Sequence, residues 1–123
     1  MAHSAWPTFE GGPNITIKVP SYQYQDTIAF YRDVLGLAAV RDREQATAFR
    51  FGRSILRIDK ASHLSQAEVW LELATEDVAR AAAHCKRCGV VRTDGIEELP
   101  EGFDGFWIAS PAGIIHLVAG SRR

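Results

Sequence analysis

The stretch NITIKVPSYQYQDTIAFYRDVLGL, residues 14–37, changes period halfway along. Over NITIKV, residues 14–19, Asn14, Thr16 and Lys18 alternate with Ile15, Ile17 and Val19, the two-residue period of a strand with one apolar and one polar face. After Pro20 the apolar residues Ile28, Tyr31, Val34 and Leu35 recur at helical spacing, and Gly36 supplies a left-handed stop. The reading is a strand followed by an amphipathic helix. Ile15, Ile17 and Val19 are expected to pack on helices, with Asn14, Thr16 and Lys18 on the open side.

Downstream, LAAVRDRE, TAFRFG and SILRID are short segments rich in apolar and β-branched residues, separated by charged or glycine-containing turns. They predict three strands, so residues 13–60 read as β-α-β-β-β. ASHLSQ, residues 61–66, serves as a linker, and the order then restarts. VWLELA is a strand. TEDVARAAAHCKRCGV follows as a helix with Thr75 as N-cap, Glu76 and Asp77 in its first turn, basic residues in its last and Gly89 as stop. VRTDGIEEL, GFWIAS and GIIHLVAG give three further strands, the last two joined by the tight turn SPAG. Residues 67–120 therefore repeat the order of 13–60, after an N-terminal extension of residues 1–12. Each half is too small to bury one face of a sheet by itself, so the two sheets are expected to combine around a shared cavity. The fold class is α+β, two tandem βαβββ modules in a single domain.

Bulk properties narrow the function. A chain of 123 residues with 46% hydrophobic and 24% charged content suits one globular domain. Fourteen basic and fifteen acidic residues leave a net charge of -1, without the excess that draws a protein to nucleic acid or an anionic membrane. No apolar run reaches the roughly 20 residues of a membrane span, and MAHSAWPTFEGGPN lacks a basic region followed by an apolar one. The expected setting is cytoplasmic, and the expected partners are a small molecule and a second copy of the chain.

Cys85 and Cys88 form a C-x-x-C, but in the last turn of a predicted helix, beside Lys86 and Arg87. A redox pair belongs at a helix N-terminus, where the dipole lowers the thiol pKa. Zinc takes about four ligands, and only His84 is close by. Cys85 is read as a small apolar residue on the buried face and Cys88 as a helix-end residue, both reduced.

Laid out this way, the chain resembles the vicinal oxygen chelate superfamily, which includes glyoxalase I, fosfomycin-resistance proteins, extradiol dioxygenases, methylmalonyl-CoA epimerases and bleomycin-resistance binding proteins. NITIKVP, IAFYRDVLGL and SPAGIIHLV carry the resemblance, over roughly residues 13–119. AFYRDVLGL is close to the family's FY-x-x-xLG signature, and SPAGIIHL matches its DP-x-G-x-x-xEL signature with changes. The resemblance implies two modules whose sheets curve into a half-open cup. It also implies four strand positions that hold a divalent metal in the enzymes, from His or Gln, Glu, His and Glu.

Placed by motif, those positions are Asn14, Arg57, Trp70 and His116. Asn14 and Trp70 are 56 positions apart and Arg57 and His116 are 59 apart, as equivalent places in two repeats should be. A guanidinium stays protonated and repels a cation, an indole offers only an N–H, and no carboxylate stands among the four. Asp59 and Glu72 share the register of Arg57 and Trp70 and are the nearby carboxylates that could rescue a shifted metal site. Glu72 could equally pair with Arg57 or Lys18. With no metal or other cofactor expected, the remaining lining is a cation, an aromatic ring, an imidazole and an amide, extended by Thr16, Lys18 and Arg50. That lining suits an organic ligand with an anionic or carbonyl group and a flat ring.

Each residue also has a purely structural reading. A lone strand His is usually hydrogen-bonded scaffolding, Trp70 could fill the cavity, and Arg57 could be neutralised by Asp59 or Glu72. Trp107 projects into the same cup or packs behind it. Three functions follow from the resemblance: a metal-free binding protein acting as a homodimer, a metal-free enzyme with His116 as acid or base and Arg57 stabilising an oxyanion, and a conventional metal-dependent lyase or dioxygenase.

Overall fold

The computed structural model describes residues 7–40 and 47–121. They form two compact units, Pro13–Trp70 and the chain from Leu71 onward together with the stretch up to Gly12. Strands and helices occur together in each, the mixed α+β class the sequence predicts.

In the first unit, β1 (Glu10–Val19), from Pro13 on, leads through Pro20 into α1 (Ser21–Ala29), which continues as a π-helical turn over Phe30–Val34. The wider turn shows in Leu35 N–H donating five residues back to the Phe30 carbonyl, at 3.0 Å. Gly36 then takes φ +67°, a conformation open to a residue without Cβ, and ends the helix. β2 (Thr47–Phe51) pairs antiparallel with β3 (Ser54–Lys60), and β3 pairs parallel with β1. Over the described part of the predicted strand LAAVRDRE there is one bridge, Ala39 to Phe49, flanked by Val40 N–H to the Ala48 carbonyl and Arg50 N–H to the Ala38 carbonyl, each 2.8 Å. Residues 41–44 of that stretch lie outside the described residues. The core is the apolar register of β1 and β3, Val19, Leu56 and Ile58, closed by Phe49 from β2 and Ile28 from α1, with Ile15, Ile17, Tyr24, Tyr31 and Leu37 around it.

The second unit holds β4 (Glu68–Thr75) from Leu71 on, α2 (Val78–Arg87), β5 (Val91–Arg92), β6 (Gly105–Ala109) and β7 (Ile115–Gly120). β4 pairs parallel with β7, β7 antiparallel with β6, and β6 antiparallel with β5. The N-cap of α2 is Asp77, not Thr75. The Asp77 carboxylate accepts from Arg80 N–H at 3.0 Å, satisfying one of the four helix-initial donors. Thr75 instead completes β4, 2% exposed, and its carbonyl accepts from Ser121 N–H at 2.8 Å. Glu76 and Asp77 consequently precede the helix. At the other end Gly89 takes φ +73° and Val90 N–H returns to the Cys85 carbonyl. Ala81 and Cys85 bury themselves against Phe106 and Val118, with Leu73, Val78, Ala82, Val90 and Ile108 alongside, while Cys88 is exposed.

The predicted strand VRTDGIEEL is only two residues long. Beyond Arg92 the Asp94 carboxylate accepts from Trp107 N–H at 3.1 Å, taking a donor that a continuing strand would need. Ile96 N–H closes a turn onto the Thr93 carbonyl. No described helix is long and apolar enough to cross a membrane.

Candidate functional site

Parallel pairing of β1 with β3 sets Thr16 beside Arg57 and Lys18 beside Asp59, while Ile15 and Ile17 lie beside Leu56 and Ile58. Directly paired residues share a face, so the apolar partners look into the core and the polar ones look away. β2 adds Arg50, paired with Ile55 and therefore on the Asn14 side. Asn14, Thr16, Lys18, Arg50, Arg57 and Asp59 thus occupy one face of this ladder.

Two polar contacts organise that face. Arg57 Nε donates to Asn14 Oδ1 at 2.9 Å, which fixes the plane of the guanidinium. Lys18 Nζ meets Asp59 Oδ2 at 2.9 Å and stands 4.4 Å from the centroid of the Trp70 ring, a salt bridge with a cation–π contact on top. Asp59 is therefore engaged by an ammonium. Trp70 is almost wholly buried, and its indole N–H donates to Glu68 Oε1 at 2.9 Å. It acts as a packed wall beneath Lys18, in keeping with the cavity-filling reading.

In the second unit the register sets Glu72 beside Leu117 and Leu117 beside Trp107. The neighbouring set is Leu71, His116 and Ile108. Ile108, with Leu73, Phe106 and Val118, packs against α2. His116 therefore lies on the helix-covered face of its sheet, and Leu117 takes the face of Glu72 and Trp107. Within its own unit His116 is thus on the other side of the sheet from Glu72 and Trp107. With a side-chain period of two, a one-residue difference reverses the face. His116 Nδ1 lies 2.9 Å from the Ile114 carbonyl, which can only accept, so Nδ1 is the donor in this contact. His116→Ala is expected to change stability by about 0.5 kcal/mol or less by urea denaturation, and to leave small-molecule affinity at the Arg57 face unchanged by calorimetry.

Trp107 is buried on the Glu72 face. Its indole N–H donates to the Glu97 carbonyl at 2.9 Å, tying β6 to the loop before it. Glu72 is buried too, and the β1 backbone passes close above it: a Cβ on Gly12 would come within 2.7 Å of Glu72 Cγ and Oε1. Gly12 is a residue that sequence reading passed over, although a glycine inside a strand marks close approach of this kind. Leu117 was legible from the strand period, had the phase after the SPAG turn been known.

At Asn14, Arg57 and Trp70 of the first unit, the side chains are an amide, a guanidinium and an indole. That set does not fit a divalent cation, which takes carboxylate, imidazole or thiolate ligands. Among the described residues no three His, Cys, Asp or Glu side chains converge on one point.

No protein-family profile matches the sequence, and no curated protein matches it. Solved structures do. The Mn(II)-bound glyoxalase from Novosphingobium aromaticivorans superposes with a TM-score of 0.63 at 18% identity, over 93% of this chain and 40% of that one. A hypothetical protein from Bacillus halodurans C-125 superposes with a TM-score of 0.67 at 13% identity, covering 94% and 96% of the two chains. Methylmalonyl-CoA epimerase from Mycobacterium tuberculosis gives 0.62 at 12% identity, over 92% and 89%. The chain thus spans less than half of the glyoxalase and nearly all of the other two.

Proposed function

We propose that this chain, which has the fold of the vicinal oxygen chelate superfamily, is a metal-independent small-molecule binding protein. Its ligand is an organic molecule with an anionic or carbonyl group and a flat ring. The anionic group is taken by Arg57, Asn14, Thr16 and Lys18, with Trp70 as the wall behind Lys18. The protein works in the cytoplasm as a homodimer, sequestering its ligand.

The observation that carries this reading is the Arg57–Asn14 pair. A guanidinium held through Nε at 2.9 Å presents a planar, permanently charged fork at a place where the resembled enzymes need anionic or imidazole metal ligands. Such a fork favours a carboxylate or enolate. A metal-free enzyme reading would need an imidazole next to that fork, and the strand register gives no support to His116 in that role.

The test is a thermal-shift screen of the chelator-treated protein against aromatic carboxylates, acyl-CoA esters and 2-oxo acids. A true ligand raises stability by about 2.7 kcal/mol at a hundredfold excess over its Kd. Arg57→Ala should then weaken the hit about 10- to 100-fold, the worth of a hydrogen bond to a charged group. A purified protein that needs a stoichiometric divalent metal to bind that hit, losing it on chelation, would overturn the proposal.

A further inference from the structure

We propose that Arg50 is a second anion-binding residue on the Arg57 face, and that the ligand is accordingly a flat ring carrying two carboxylates, one for each guanidinium. This inference rests on the binding function proposed above and narrows its ligand from one acidic group to two.

The strand register brings the two arginines to one row. Arg50 on β2 is paired with Ile55 on β3, and Ile55 with Asn14 on β1, so these three side chains stand side by side across the sheet. Arg57 belongs to the next row, beside Thr16. Its Nε donates to Asn14 Oδ1 at 2.9 Å, which draws the guanidinium back to the Asn14 end of the Arg50 row. With neighbouring strands about 4.7–4.9 Å apart, the two ends of that row are about 9–10 Å from each other at the backbone. Ile55, half-buried, lies between them. A cation at each end of a short apolar step is the complement of a ring with a carboxylate at each end.

Arg50 has a fixed base and an exposed head. Its N–H donates to the Ala38 carbonyl at 2.8 Å, and Val40 N–H donates to the Ala48 carbonyl at 2.8 Å, so β2 is bonded on its outer side as well as to β3. The side chain is exposed and makes no hydrogen bond or ion pair with the described residues. Asp59, the carboxylate of the same face, lies four positions along β3 from Ile55, about 13 Å away, and meets Lys18. Glu68 accepts from the Trp70 indole. A guanidinium stays protonated and takes a carboxylate through two parallel N–H bonds, so Arg50 can grip a second acidic group as Arg57 grips the first.

Benzoate and terephthalate, the same ring with one carboxylate and with two at opposite ends, are the probes. Each is titrated into the full chain, and Kd is read from backbone amide NMR shifts. Terephthalate should bind at least about fivefold tighter than benzoate, beyond the roughly twofold that follows from having two equivalent carboxylates. Arg50→Gln should bring the ratio down to about twofold. Arg53→Gln, which removes the same charge from the exposed turn between β2 and β3, should keep it. Thermal melts establish that each variant is folded. A ratio of about two or less in the unaltered protein would overturn the inference and leave the proposed function standing, as would an unchanged ratio in folded Arg50→Gln or an equal fall in Arg53→Gln. Failure of both probes to bind, or binding of both that survives in folded Arg57→Ala, would instead overturn the function proposed above and this inference with it.

Discussion

Phe49→Ala is expected to cost about 3–5 kcal/mol of stability, while Phe51→Ala, two residues along the same strand, should cost under about 1 kcal/mol. The difference lies in burial. Phe49 is 1% exposed, in a cluster with Val19, Ile28, Leu56 and Ile58, and its ring lies 6.2 Å from that of Tyr31; Phe51 is 48% exposed. Truncating Phe49 removes apolar area from the centre of the first unit and leaves a cavity that β-strands on a fixed ladder cannot easily close. A domain of this size has about 5–15 kcal/mol to lose, so Phe49→Ala should melt at much lower urea. Equal urea midpoints for the two variants would show that Phe49 is not the keystone of this core.

Asp59→Asn should cost about 1–3 kcal/mol, more than Lys18→Met, which should cost about 1 kcal/mol or less. Lys18 is the buried member of the pair, its side chain 8% exposed against 37% for Asp59. Removing the carboxylate takes one charged partner from an ammonium in a desolvated place, whereas methionine removes the charge and keeps an apolar stem against Trp70. The figure for Asp59→Asn is held below that of a fully buried pair because water reaches the carboxylate. The double variant should therefore be more stable than Asp59→Asn alone, a non-additivity read from denaturation curves. If the two single variants lose stability equally, Lys18 is not the desolvated partner. Lys18→Met also bears on function: a variant that folds normally but binds the screened ligand weakly would place the ammonium among the groups that grip it.

Much of the architecture was legible because two periods were unambiguous. Ile15, Ile17 and Val19 alternate with Asn14, Thr16 and Lys18, and the faces they define are those of the ladder. Ala81 and Cys85 lie on the buried stripe of α2 as their spacing implies, with Cys88 outside. Helix ends read less well. Thr75 and Asp77 are both good N-caps in sequence, and only the length of β4, which runs to Thr75, decides between them. The strand over VRTDGIEEL is over-read for a related reason. β-forming residues mark segments able to pair, but pairing needs a partner with matching donors, and the Asp94 carboxylate claims the Trp107 N–H.

For the candidate site, the sequence by itself determined which side chains are available and what chemistry they exclude. Arg57 is a cation under any fold, and an amide, a guanidinium and an indole include no carboxylate, imidazole or thiolate. It determined the two faces of β1 as well, because alternation is a local property of an extended chain. Tertiary structure alone decided the phase of β7, and with it the place of His116. A strand's period can be read from its residues, but which parity faces the helix depends on where the SPAG turn releases the chain and on pairing with β4 and β6, residues far away in sequence. The same holds for Lys18 with Asp59 and Arg57 with Asn14, partners more than forty positions apart, brought together by parallel pairing of β1 with β3.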